Sequence, residues 1–157
     1  INRDTRFSAD KTPYKTYLDM MFWLGEGRSR DKAGYFFRMT PTTLHLGAGK
    51  HGFDKAQLRA WREAVADDAR GAGVVAAIGK VQGAGDYEIG GEHYKRVPRG
   101  YDAEHPRADL LRYSALWVGR EVPLPDAVYS ASLLDLVIEQ FQTMAPVADW
   151  LAAEVIG

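Results

Sequence analysis

Two segments combine basic, acidic and aromatic side chains without helical or strand periodicity. The opening segment runs over residues 3–16, and the second runs over residues 93–106. Arginine forms bidentate hydrogen bonds with carboxylates and phosphates, and tyrosine supplies a flat ring and a hydroxyl. Residues of these types in loops are typical of binding sites. We therefore expect the two segments to form one pocket for an anionic small molecule, such as a phosphorylated or carboxylated metabolite.

The candidate ligand-binding residues share positive charge, a carboxylate that orients a guanidinium, or an aromatic hydroxyl. They are Arg3, Asp4, Arg6, Asp10, Lys11, Tyr14, Lys15, Arg96, Arg99 and Tyr101. The sequence assigns no catalytic residue, no cofactor and no metal ligand, so an enzyme of unknown reaction and a simple binding protein both stay open.

A structural role is the alternative for the same residues. Arg3, Asp4, Arg6 and Asp10 could pair with one another and fix a long loop, which would make the chain a structural or protein-interaction module with a buried ion-pair frame. Nucleic-acid binding is the least favoured interpretation, because 20 basic and 21 acidic side chains leave a net charge of −1.

Residues 47–52 match the pattern G-x-G-x-x-G, which binds dinucleotide phosphates when it joins a strand to a helix. The preceding strand pairs more naturally in a hairpin than in a parallel crossover, and Asp54 would place a carboxylate at the helix end that should attract phosphate. We interpret the motif as a glycine-rich turn and bulge at the end of a strand. The four histidines, at 45, 51, 93 and 105, show no metal-ligand spacing.

These residues need elements to position them, and the strands cluster early in the chain. We predict a strand over residues 17–24, then a hairpin of residues 34–40 and 42–46 joined at Pro41. A helix from Asp54 to Ala69 follows, broken by Gly71 and Gly73 before a second helical segment over 74–81.

Later residues continue the mixed pattern. We predict a turn and strand over 83–91, a helix over 108–116 and a strand over 117–122. A helix capped by Ser132 and Asp135 follows, with a last helix beginning at Pro146. This order predicts an α+β fold in which an antiparallel sheet of short strands carries helices on one face and ends in a C-terminal helical tail.

Composition limits the remaining possibilities. One domain accounts for all 157 residues, and 46% hydrophobic residues are enough for a core without disulfides. The chain contains no cysteine, no membrane-spanning apolar run and no secretory signal, and we expect a cytoplasmic protein of undetermined oligomeric state.

The opening motif and several later motifs together resemble the domain-of-unknown-function 2461 family of bacteria and fungi. The similarity includes residues 3–8, 10–11 and 13–16, Tyr35-Phe36, residues 47–49, Arg62, residues 96–101 and His105-Pro106, and it ends in the helical tail at Pro146. The resemblance implies an α+β domain, with the present chain forming roughly its C-terminal three quarters after a further helical segment. It implies no activity, substrate or cofactor.

Overall fold

The computed structural model describes residues 6, 14–23, 25–26 and 31–156. Within them lies a five-stranded antiparallel sheet with spatial order β1-β2-β3-β5-β4. The strands are β1 (Leu18–Trp23), β2 (Gly34–Met39), β3 (Thr43–Lys50), β4 (Glu88–Glu92) and β5 (Tyr113–Pro123). The predicted α+β class, the early strand and the hairpin at Pro41 are confirmed.

The helices are α1 (Lys55–Ala66), α2 (Asp68–Ala84), α3 (Ala108–Leu111) and α4 (Ser132–Leu151). A 3₁₀ turn at Asp126–Tyr129 precedes α4, and a π-helical turn at Ala152–Ile156 follows it. No helix among the described residues is long and apolar enough to cross a membrane.

Side-chain alternation gives the sheet two different faces. Leu44 and Leu46 of β3 and Val118 of β5 are buried under α4, which packs across β3. Alternate positions place Phe36, His45 and other side chains on the opposite face. The core therefore lies between the sheet and the helices, as the sequence predicts.

The first two helices meet at Asp67. Asp54 begins α1 with a capping box, because its carboxylate accepts from Gln57 N and the Gln57 side chain accepts from Asp54 N. The helix ends at Ala66, not Ala69, because Asp67 Oδ1 accepts from Ala69 N and Arg70 N and starts α2.

The predicted break at Gly71 and Gly73 is wrong. Helix α2 continues through both glycines. The absence of a side chain at each position leaves room for a neighbouring group. A Cβ on Gly71 would overlap the Arg107 side chain, and one on Gly73 would lie 2.9 Å from Trp150 Nε1. Close packing therefore explains these glycines.

Three predictions in the second half of the chain also change. Residues 113–116 belong to β5 instead of a helix, because the register pairs Leu116 with Lys50 of β3. Ser132 does not cap α4, and Ser130 Oγ accepts from Ser132 N instead. Helix α4 runs through Pro146, since buried Met144, Val147 and Leu151 hold both sides of the proline in one apolar stripe.

Candidate functional site

The opening segment contributes three described candidates, Arg6, Tyr14 and Lys15, while Arg3, Asp4, Asp10 and Lys11 lie outside the described residues. Lys15 Nζ lies 3.2 Å from Asp19 Oδ1, and Arg38 Nη2 lies 3.3 Å from Asp19 Oδ2. The Arg38 guanidinium also lies 4.6 Å from the centre of the Tyr17 ring. At this corner Lys15, one of the candidate cations, is paired within the fold.

The carboxylate of Asp19 joins this ion-paired corner. Burial alone would raise the pKa of Asp19, but the hydrogen bonds and charges of Lys15 and Arg38 outweigh it and hold the pKa below its usual value. The side chains of Lys15, Asp19 and Arg38 each keep between 26% and 39% exposure, so the pairing is partly solvated. Such pairs contribute little to stability.

The second segment forms a loop that begins where β4 ends and lies against α1. His93 N and Tyr94 N both donate to Arg112 O, at 3.2 and 3.0 Å. Further along, Val97 and Tyr101 pack against the core. The loop is anchored at both positions, and Arg96 and Arg99 project from it as exposed residues.

Arg107 anchors the far end of the loop to the helices. Its Nε donates to Val65 O at 2.7 Å, and its Nη2 contacts Asp68 Oδ1 at 3.2 Å. Arg96 and Arg99 differ from it, because neither has an ion-pair or hydrogen-bond partner among the described residues. Arg107 is therefore structural, whereas the other two remain available to an external anion.

Arg62 of α1 adds a third guanidinium to this loop. Its centre lies 5.3 Å from the ring centre of Tyr94. Its Nε is buried without a hydrogen-bond partner, and no carboxylate of the described chain pairs with it. We call Arg62, Tyr94, Arg96, Arg99 and Tyr101 the loop corner.

A buried, unsatisfied Nε occurs on four arginines of the described chain, Arg38, Arg62, Arg112 and Arg120. Two of them have carboxylate partners elsewhere on the guanidinium: Arg38 contacts Asp19, and Arg112 contacts Glu92 and Asp109 at 2.9 and 3.0 Å. Arg62 and Arg120 have none. An unsatisfied buried donor costs about 1–3 kcal/mol, which a bound anion would recover.

The structure does not bring Lys15 and Arg96 together. Lys15 precedes β1 at one edge of the sheet, and Arg96 follows β4 at the opposite edge. Four strand spacings separate these edges by about 19 Å, and the two strand ends also lie at opposite ends of β5. The described candidates therefore occupy two separate corners instead of facing each other across one pocket.

The glycine motif belongs to a strand. Gly47, Ala48, Gly49 and Lys50 continue the antiparallel pairing of β3 with β5, so the interpretation as a turn and bulge is wrong. A phosphate loop needs free backbone N–H groups at a helix start, whereas here a central strand continues between two antiparallel neighbours.

Two histidines lie on the face of the sheet that α4 leaves open. The His45 ring contacts Phe36 edge-on at 5.5 Å, and the His51 ring stacks on Trp117 at 5.4 Å between centres. Desolvation, followed by the charges of His45 and Lys50, lowers the pKa of His51. No group of three or more His, Asp or Glu that could hold a metal ion occurs in the described part of the chain.

Sequence reasoning included Arg96, Arg99 and Tyr101 but did not select Arg62 as a ligand-binding residue. Arg62 lies in the helical repeat of α1, where a cation is usually solvated. Trp61, next to it, is fully buried and donates from Nε1 to Leu110 O at 3.0 Å. The sequence signal that could have identified Arg62 is its position next to Trp61, on the buried face of α1.

The comparisons with known proteins identify the family. Residues 1–150 match the family described as conserved hypothetical protein, DUF2461, and because the match covers nearly the whole chain, the chain belongs to this family. Neither the comparison with curated proteins nor that with solved structures gave a match.

Proposed function

We propose that the loop corner binds the phosphate or carboxylate group of a small anionic molecule. The observation that supports this most directly is the state of Arg62, whose buried Nε lacks a partner while its guanidinium has no carboxylate among the described residues. Arg96 and Arg99, exposed on the adjoining loop, also lack counter-ions there. Three guanidiniums without carboxylates favour an external anion.

Each residue of the loop corner has a distinct role in this proposal. Arg62 is held against Tyr94 and provides a positioned donor on α1, beneath the loop. Arg96 and Arg99 extend from the loop and close on the anion, since a long side chain can adjust to the ligand. Tyr94 and Tyr101 contact the uncharged part of the molecule.

The opening segment stays in the proposal as a separate contribution. Arg3, Asp4, Arg6, Asp10, Lys11, Tyr14 and Lys15 would act on a ligand only where the segment approaches it. The contacts of Lys15 and Arg38 with Asp19 favour a structural role for that corner. An Arg6→Glu variant distinguishes the two roles: loss of anion binding with an unchanged melting temperature supports ligand contact, and a lower melting temperature supports a structural one.

The first test is calorimetric titration with inorganic phosphate and with citrate at low salt. Hydrogen bonds to charged groups contribute about 1.5–3 kcal/mol each, so Arg62→Gln should weaken binding by roughly 10- to 100-fold. The double variant Arg96→Gln/Arg99→Gln should weaken it at least as much. Because exposed charges are screened by ions, affinity should also fall as salt rises.

Lys80→Gln provides the matched control, since Lys80 is an exposed cation on α2 outside the loop corner. It should bind both anions as the unmodified chain does, and all variants should keep their circular dichroism spectra. The proposal fails if neither anion binds the folded chain, or if Lys80→Gln weakens binding as much as Arg62→Gln.

A cytoplasmic location belongs to the same proposal and is tested by cell fractionation.

A further inference from the structure

Arg120 places a cation on the buried face of the sheet. It lies in β5 between Val118 and Val122 on the same face, and its cross-strand partner on β3 is Leu46. Val118 and Leu46 are at most 2% exposed. The guanidinium therefore extends into the layer between the sheet and α4, where apolar side chains are expected.

A cavity of about 150 Å³ lies beside this guanidinium. Its apolar wall comes from β3, β5, α4 and the segment between them, and it consists of Leu44, Leu46, Val122, Pro125 and Leu136. Arg120 and Gln140 are its polar lining residues. Apolar protein cavities of about this volume accept a molecule the size of benzene.

The protein satisfies this guanidinium only in part. Nε is buried without a hydrogen-bond partner, and the contact from Nη1 to Gln140 Oε1 is long, at 3.4 Å. The ring of Tyr87 lies 5.3 Å from the guanidinium centre, which provides a cation–π contact. No carboxylate of the described chain forms an ion pair with it. Arg120 as a whole is half-buried, and the cost of leaving its buried Nε without a partner falls on that atom.

Gln140 is oriented so that its side-chain amide can supply a second donor beside Arg120. Its Oε1 accepts from Tyr87 Oη at 2.9 Å and from Arg120 Nη1. Both contacts use the carbonyl oxygen, which leaves the amide Nε2 to donate. Arg120 and Gln140 thus provide two kinds of donor at the same end of an otherwise apolar cavity.

We propose that this cavity binds a monocarboxylate with a short apolar chain, about six carbons long in all. The carboxylate pairs with Arg120 and accepts from Gln140 Nε2, while the carbon chain contacts Leu44, Leu46 and Leu136. One cation among apolar walls matches one negative charge on an apolar molecule, and a multiply charged anion would leave charge unpaired. This site is separate from the loop corner, since its wall includes Val122 at one end of β5, whereas the loop follows β4 where β4 pairs with Tyr113 at the other end.

The test titrates the full chain with hexanoate and with hexanamide, which has the same shape and no charge. Hexanoate should bind saturably, and hexanamide at least tenfold more weakly. Arg120→Met, which keeps an unbranched apolar stem and removes the charged guanidinium, should weaken hexanoate binding by about tenfold or more. The same variant should keep or raise the melting temperature, because it removes a buried donor that has no partner.

A second variant keeps the test informative if Arg120→Met does not fold. Leu136→Phe fills the cavity and leaves Arg120 in place, so hexanoate binding should be lost while the folded chain is retained. Lys80→Met is the control and should bind hexanoate normally. Equal affinity for hexanoate and hexanamide, hexanoate binding that survives Arg120→Met, or no saturable hexanoate binding would each overturn the proposal. Hexanoate binding that Arg62→Gln removes would assign the ligand to the loop corner and would also overturn it.

Discussion

The imidazole of His51 makes the stability of the fold depend on pH. It stacks on Trp117, and desolvation together with His45 and Lys50 lowers its pKa in the folded chain. Between that lowered value and the unfolded value of about 6.5, the unfolded chain binds more protons at this residue than the folded chain. Folding stability therefore decreases as the pH falls through this window.

We predict that His51→Gln reduces this pH dependence. Between about pH 7.5 and pH 5.5 the melting temperature of the unmodified chain should fall more steeply than that of the variant, because glutamine does not titrate. Thermal unfolding followed by circular dichroism measures both slopes. His93→Gln is the control, since His93 is exposed at the start of the loop corner's segment. A slope unchanged in His51→Gln would contradict the desolvated state of this imidazole.

At the scale of elements, Gly49 shows why β3 continues beyond the predicted strand. Its φ is +122°, and a Cβ there would overlap Leu116 O and lie 2.7 Å from Trp117 Cα. Only glycine allows β5 to approach this closely while the chain keeps that conformation. The glycines of the motif thus serve strand pairing.

Gly49→Ala should accordingly destabilise the fold by roughly 2 kcal/mol or more, because strain in this backbone region alone costs about 1–3 kcal/mol. Gly52→Ala is the matched variant from the same motif, since a Cβ there meets no atom within 4 Å and its φ is not positive. It should change stability by less than about 0.5 kcal/mol. Urea denaturation gives both values, and equal stability of the two variants would contradict the strand assignment of residues 47–50.

Local sequence signals predicted the elements that local interactions determine. The Asp54 cap, the hairpin at Pro41 and the early strand depend on neighbouring residues, and all three are confirmed. The errors occurred where distant contacts decide the outcome. Residues 113–116 form a strand because β3 pairs with them, and Pro146 lies within α4 because packing on both sides outweighs its missing N–H.

The candidate site was predicted in the same uneven way. Loop composition identified Arg96, Arg99 and Tyr101, but the partners that decide availability come from other elements. Tyr94 meets Arg62 only because the loop lies across α1. Arg120 could have been found from period-two alternation, since it shares a strand face with Val118 and Val122. Its lack of a carboxylate partner depends on α4 and was not accessible to sequence patterns.

For the whole molecule, one connected core links the sheet to all four helices. It contains Leu46 of β3, Trp61 of α1, Val74 of α2, Leu111 of α3 and Met144 of α4, each at most 2% exposed. Neither the sheet nor the helix layer has a second core of comparable size among the described residues. Such an arrangement favours unfolding as one cooperative unit.

We therefore predict that the 157-residue chain unfolds in a single transition, as the expected single domain requires. Urea curves from far-ultraviolet circular dichroism and from tryptophan fluorescence should have the same midpoint. Fluorescence reports on both layers, because Trp61 and Trp150 lie between helices whereas Trp117 lies on the open face of the sheet. Asp67→Ala, which removes the cap of α2, should shift both curves together by about 1 kcal/mol. If only the helical signal moved, the helix layer would unfold independently of the sheet, and the single-domain expectation would be wrong.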